Sequence, residues 1–121
     1  MKTIPAVVLA GVLGLGALSA FAAEAKLKTV AALYQEKAAL AGQLIRVKGK
    51  VVKTNNNIMG RNFVHVQDGT GTKGSDDLTV TSNQTAKVGD QVTVTGRVVV
   101  NKDFGSGYSY PLLIEEASIT K

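Results

Sequence analysis

Basic and aromatic residues alternate in two short runs of this sequence. Residues 61–65 read RNFVH, which places Arg61, Phe63 and His65 two positions apart, and Lys102 and Phe104 have the same spacing. Residues two positions apart lie on one face of a β-strand. Aromatic rings stack on nucleic-acid bases and cations neutralise phosphates, so such a face could bind an oligonucleotide, a nucleotide or another anionic or aromatic ligand. The core and rim of a small domain can show the same mixture. The candidate ligand-binding residues are Arg61, Phe63, His65, Lys102, Phe104 and Tyr108.

His65 is the only histidine and the first candidate for a metal ligand. Its imidazole could bind copper or haem iron, and the thioether of Met59 could be a soft second ligand. Two ligands make a weak site, and an ordinary surface or partly buried strand residue is the favoured interpretation of His65. The chain has no cysteine, which excludes disulfides and thiolate metal sites. The expectation is therefore no cofactor, with copper or haem at His65 and Met59 as the alternative.

The remaining polar motifs indicate architecture rather than catalysis. Asp68, Asp76 and Asp77 lack the spacing of a calcium-binding loop. The segment DGTG that begins at Asp68 is predicted as a turn, because Asp and Thr side chains bond turn backbones. No serine or cysteine motif supplies a nucleophile beside His65, so the protein is not expected to be an enzyme.

Periodicity predicts the elements that must position these residues. Residues 29–41 are rich in helix formers, with Thr29 as the N-cap and Gly42 at the end, and predict an amphipathic helix. The pattern then changes to alternation, with Ile45 and Val47 on one side and lysine or arginine on the other. Strands are predicted at residues 44–52, 62–67, 77–81, 91–100 and 108–114.

Two glycines select among the possible all-β folds. Gly49 and Gly96 lie at inward positions in the middle of long strands, where they would normally only weaken the strand. Strong coiling of a small barrel explains them. The sequence therefore predicts a five-stranded Greek-key OB-fold barrel at residues 43–121, preceded by an N-terminal helical segment at residues 23–42. That segment could plug the end of the barrel.

The OB-fold expectation indicates where a ligand would bind. In this fold the surface of strands two and three is walled by two loops, here predicted at residues 54–61 and 101–107. Those loops would bring Met59, Arg61, Lys102 and Phe104 towards Phe63. Val64 and Val66 are predicted to face the core, which would leave Phe63 and His65 exposed to solvent. Tyr108 and Tyr110 are expected mainly as packing residues.

The first residues predict export. Lys2 precedes an apolar stretch at residues 7–18, and residues 20–22 read AFA, a cleavage motif. The prediction is a signal peptide at residues 1–22 and a periplasmic protein. Residues 4–23 are uncharged and could alternatively remain as a membrane anchor, although no stable membrane insertion is expected. The formal net charge of +5 is mild for a dedicated DNA-binding protein.

Three longer runs carry a resemblance to a known family. They are VKGKV at residues 47–51, FVHVQDGTG at residues 63–71 and VGDQVTVTGRV at residues 88–98. With them, the chain from residue 23 onward resembles small periplasmic OB-fold proteins of the NrfJ type, which are often labelled nucleotide-binding or DNA-binding. The resemblance also implies a setting in cytochrome c biogenesis. The alternative function is thus an accessory protein for metal or haem handling that acts through a periplasmic protein partner.

Overall fold

The computed structural model describes residues 25–105 and 107–121. The chain runs through β1 (Lys26–Leu27), α1 (Val30–Gln35), α2 (Lys37–Leu40), β2 (Leu44–Ile58), β3 (Arg61–Gln67), β4 (Leu78–Ser82), β5 (Gln91–Gly105) and β6 (Tyr108–Thr120). The predicted signal peptide at residues 1–22 lies outside the described residues. Within the described ranges, no helix has the length and apolar character needed to cross a membrane.

All six described strands belong to one sheet. The order is β1-β2-β3-β4-β6-β5, and β5 also pairs with β2. The pairings therefore run from β2 through β3, β4, β6 and β5 and return to β2. The β1–β2 and β4–β6 pairs are parallel and the others are antiparallel. The all-β prediction is confirmed, and β1 is an additional strand whose two residues were too few to give a periodic signal.

Strands β2 and β5 continue through the segments that were predicted as loops. β2 extends to Ile58 and β5 to Gly105, so residues 54–61 form the end of one long hairpin, and residues 101–105 and 107 belong to the end of a second. In the first, Met59 and Gly60 adopt left-handed backbone conformations, with φ of 53° and 79°. The Asn57 N–H donates to Asn62 Oδ1 at 2.9 Å, which ties the two strands together beside this turn. The polar composition of these segments concealed their strand conformation.

The two strand glycines allow strands to approach closely. A Cβ on Gly49 would lie 2.6 Å from a methyl of Val66, and one on Gly96 would lie 2.5 Å from a methyl of Ile114. Such distances are well below van der Waals contact, so any side chain would push these strands apart. The prediction that both glycines face inward is confirmed.

The predicted helix is present as two short helices with a break at Glu36. Thr29 is the N-cap, as predicted, and its hydroxyl accepts a hydrogen bond from the Ala32 N–H at 3.1 Å. Val30 and Leu33 are fully buried in the same cluster as the inward residues of the strands. The Tyr34 hydroxyl donates to the Asp77 carbonyl at 2.6 Å. The helical segment therefore completes the main core.

The turn after β3 holds the start of α1. Asp68 Oδ2 accepts a hydrogen bond from the Val30 N–H at 2.9 Å, and the Thr70 hydroxyl accepts one from the Ala31 N–H at 3.0 Å. Desolvation by burial opposes ionisation of Asp68, but the hydrogen bonds from Thr70 and Val30 outweigh it and lower the pKa of Asp68. The turn is architectural, as predicted.

Candidate functional site

The two faces of β3 pack against different partners. Val64 and Val66 are fully buried in the main core, which confirms their predicted orientation. Phe63 points to the opposite side of the sheet but is only 1% exposed, so the expectation that it would face solvent is wrong. The reason is the β5–β6 hairpin, whose aromatic side chains cover Phe63.

Four rings form what we call the aromatic cluster: Phe63, Phe104, Tyr108 and Tyr110. Phe63 lies at its centre, with ring centroids 5.6 Å from Phe104, 6.1 Å from Tyr108 and 6.0 Å from Tyr110. Phe104 and Tyr110 meet edge to face at 6.1 Å. These separations are typical of favourable aromatic pairs. Phe63 does not belong to the main core, so the cluster is a second packed layer on the outer side of β3.

Two cations lie over the Phe104 ring. The Arg61 guanidinium carbon is 5.1 Å from the ring centroid and the Lys102 Nζ is 5.3 Å from it. Both distances are within the range of cation–π attraction. Of the candidate residues, the structure therefore brings together Arg61, Phe63, Lys102, Phe104 and Tyr108, which come from three different strands.

Glu115 connects the two cations, and sequence reasoning missed it. Its Oε1 is 3.7 Å from Arg61 Nη1 and its Oε2 is 3.9 Å from Lys102 Nζ. Both are longer than a good charge-assisted hydrogen bond, and Oε2 is buried without a hydrogen-bond partner in the described chain. The carboxylate thus offsets one of the two positive charges, and at long range. Only the pairing of β6 with β5 reveals its position.

The surface of the cluster is partly open. Tyr108 is 38% exposed, Phe104 and Tyr110 are half-buried, and a groove of ≈ 490 Å³ adjoins Arg61 and Glu115. Burial and the neighbouring Tyr108 raise the pKa of Tyr110, so its hydroxyl stays protonated at neutral pH. The polar side of the groove is lined by Ser82, Asn83, Gln84 and Glu116. A ligand here would meet exposed rings, cations and amide or hydroxyl groups.

His65 lies two residues along β3 from Phe63, beside Asp77. His65 Nδ1 and Asp77 Oδ1 are 3.1 Å apart, and the imidazole is 15% exposed. This contact occupies one ring nitrogen. Its side chain is thus paired with Asp77, two positions along β3 from the centre of the aromatic cluster.

Met59 does not lie beside His65. It is 46% exposed in the β2–β3 turn, before the first residue of β3, whereas His65 is four residues further along that strand. Four strand residues span about 13 Å, too far for both side chains to bind one ion in this arrangement. Among the described residues there is no group of three His, Cys, Asp or Glu side chains placed to hold a metal. Copper or haem at His65 and Met59 stays a prediction.

No protein-family model matches the chain, and a search of curated proteins also finds no match.

Proposed function

We propose that this protein is a non-catalytic periplasmic binding module with an OB fold. The order of strand pairing supports this fold, since β2, β3, β4, β6 and β5 pair in sequence and β5 returns to β2. A five-stranded Greek-key barrel requires that cycle. In this assignment β3 and β4 are the second and third strands, so the aromatic cluster lies on the surface that OB folds use for binding. The NrfJ-type resemblance agrees with this proposal.

The ligand we propose is anionic and aromatic, such as a short single-stranded oligonucleotide or a nucleotide. The observation that carries this is the placement of Arg61 and Lys102 over Phe104 in a ring cluster outside the main core. A ring layer that served only packing would not need two cations at its open side. Stacking platforms with adjacent cations are the common design of proteins that bind single strands.

The roles within the site follow from exposure. Tyr108 offers the most accessible ring for stacking, and Phe63 supports the cluster from below without reaching the ligand. Arg61 and Lys102 would bind phosphate. In the free protein Glu115 balances them at 3.7 and 3.9 Å, and an incoming phosphate would compete with this carboxylate. The groove beside Arg61 would take the next part of the ligand.

The test is an NMR titration of residues 23–121, which include every described helix and strand, with an oligothymidylate. We expect shifts at Arg61, Phe104 and Tyr108. Two phosphate contacts predict that the logarithm of the affinity falls with the logarithm of salt concentration with a slope of about −1.4. Arg61→Gln with Lys102→Gln should abolish the shifts.

A matched control removes two charges elsewhere. Lys48→Gln with Lys50→Gln lies on β2, away from the aromatic cluster, and should leave oligonucleotide affinity nearly unchanged. Equal losses in both double variants would mean that net charge alone drives binding. Binding that does not respond to salt would reject the phosphate contacts.

A further inference from the structure

A second surface of the molecule carries basic residues that form no ion pair among the described residues. Arg46, Lys48 and Lys50 alternate with buried residues along β2, so all three point outward from the same strand. At about 3.3 Å per residue, neighbouring side chains are about 6.6 Å apart. We call this row the basic face. It lies on β2, whereas the cations of the aromatic cluster lie on β3 and β5.

The strands beside the basic face supply no opposing charge. Arg46 is opposite Thr95, Lys48 opposite Thr93 and Lys50 opposite Gln91 on β5. On the other side, Leu27 lies beside Arg46 and Gln67 beside Lys50. None of the five ion pairs found within the described chain involves the three basic residues. Three positive charges therefore lie in a row without an ion-pair partner among the described residues.

Two carboxylates lie near the Lys50 end of the row. Asp90 precedes Gln91, the residue opposite Lys50, and pairs with Lys121 Nζ at 3.5 Å. Asp68 lines the groove that contains Lys48 and Lys50. Its two oxygens, however, already accept hydrogen bonds from the Val30 N–H and from Thr70. These hydrogen bonds hold the Asp68 side chain against α1 but do not remove its charge. One negative charge against three positive charges leaves the basic face net positive.

Exposed apolar side chains lie at both ends of the row. Leu27, 53% exposed, is paired with Arg46. Val88, 63% exposed, directly precedes Gly89, whose N–H donates to the Val51 carbonyl at 2.8 Å, next to Lys50. Cations flanked by apolar side chains are the combination that binds the headgroups and outer acyl region of a lipid surface.

We propose that the basic face docks this protein on an anionic phospholipid surface. A membrane is favoured over nucleic acid because the outward residues of β2 and β5 at this face are Arg, Lys, Thr and Gln, with no ring for base stacking. The docking is peripheral and electrostatic. It leaves the aromatic cluster free, so it does not depend on the ligand proposed above.

Vesicle sedimentation tests the proposal. Residues 23–121 should bind vesicles of equal parts phosphatidylglycerol and phosphatidylcholine, fail to bind pure phosphatidylcholine, and dissociate in high salt. Each basic residue near an anionic surface contributes about fivefold to binding, so Arg46→Gln, Lys48→Gln and Lys50→Gln together should weaken binding about 100-fold. Single substitutions should weaken it about fivefold each. Leu27→Ser with Val88→Ser should cause a smaller loss.

The matched control removes two charges outside β2, with Lys37→Gln and Lys73→Gln, and is compared with Lys48→Gln plus Lys50→Gln. It should keep most of the binding. An equal loss in the control would overturn the proposal, because net charge would then explain the effect. Shifts at Lys48 and Lys50 with oligothymidylate but not with anionic vesicles would also overturn it and assign this face to nucleic acid. Melting curves of all variants confirm that they remain folded.

Discussion

The outer sides of β2 and β3 carry similar residue types but differ in what covers them. On β3, Phe63 lies under the β5–β6 hairpin, and Arg61 nearby is balanced by Glu115 and placed over a ring. On β2, Lys48 and Lys50 have small polar residues opposite and no carboxylate partner. Cations that lie against a ring and a carboxylate are partly desolvated, and their interactions depend on direction. Free cations in a row act through their summed potential, so the first surface suits one shaped ligand and the second an extended charged one.

The largest expected difference between the two surfaces is in stability. Phe63→Ala removes the centre of the aromatic cluster and should lower the free energy of unfolding by about 3–4 kcal/mol. Lys48→Ala on the basic face should change it by less than about 0.5 kcal/mol. Urea denaturation measures both. If Phe63→Ala lowered the free energy of unfolding no more than Lys48→Ala, the packing of the β5–β6 hairpin on Phe63 would contribute little to stability.

The next effect is on binding at the aromatic cluster. Tyr108→Ala removes its most exposed ring and should weaken oligothymidylate binding by about 1–3 kcal/mol, because one stacked base is lost. Met59→Ala is the control, since Met59 is similarly exposed in the neighbouring hairpin. Fluorescence anisotropy of a labelled oligonucleotide gives both affinities. Equal affinities in the two variants would remove Tyr108 from the site.

The variant Asp68→Asn tests what the Asp68 carboxylate contributes to stability and to the potential of the basic face. Asp68→Asn should weaken the hydrogen bond from the Val30 N–H at the start of α1. The free energy of unfolding should fall by about 1 kcal/mol, in the range of helix-capping effects. Because hydrogen bonds lower the pKa of Asp68 in the folded state, its contribution is complete above about pH 4, the ordinary aspartate pKa. The contribution is lost as the pH falls through the lower, folded-state pKa.

Thermal melts of both proteins from neutral to acidic pH measure this contribution. The gap between Asp68→Asn and the parent protein should close at the acidic end. Vesicle binding at neutral pH should rise, since Asp68→Asn removes a negative charge from the groove that contains Lys48 and Lys50. Unchanged vesicle binding would mean that the charge of Asp68 does not act on the basic face.

Glu115→Gln should make the surface around the aromatic cluster resemble the basic face, because it removes the carboxylate that lies near two cations. Without the carboxylate, Arg61 and Lys102 lose their shared counter-charge, so oligothymidylate affinity should rise severalfold and depend more steeply on salt. Stability should change by no more than about 1 kcal/mol, since both ion pairs are long and partly exposed. Lower affinity would indicate that Glu115 positions the cations rather than competing with the ligand.

Alternation along a strand was the most informative signal in the sequence. It correctly placed Val64 and Val66 in the core, and the interrupted alternation at Gly49 and Gly96 identified sites of close approach. Thr29 as a helix cap and Asp68 in a turn were also correct, because both depend on side chains bonding nearby backbone. Each of these features depends either on contacts between residues close in sequence or on the spacing of apolar residues along a strand.

The errors concern contacts between distant parts of the chain. Burial of Phe63 depends on Phe104 and Tyr108 of the β5–β6 hairpin, which lie 41 and 45 residues later in the sequence and fold over β3. Glu115 joins the site only through the pairing of β5 with β6. The strand character of residues 54–58 comes from pairing with β3, which outweighs the low β-propensity of asparagine. No property of these residues taken alone would have revealed those partners.

The place of β6 in the sheet has a consequence for how the chain folds. β6 pairs with β5 and β4, and it follows both along the described chain. Until it is synthesised, β4 and β5 each have an edge with unpaired backbone groups, and such edges can recruit strands from other molecules. Leu44 and Arg97, far apart in sequence, must also pair before the cycle closes, and high contact order of this kind slows folding. The nascent protein therefore passes through an aggregation-prone stage that ends when β6 docks.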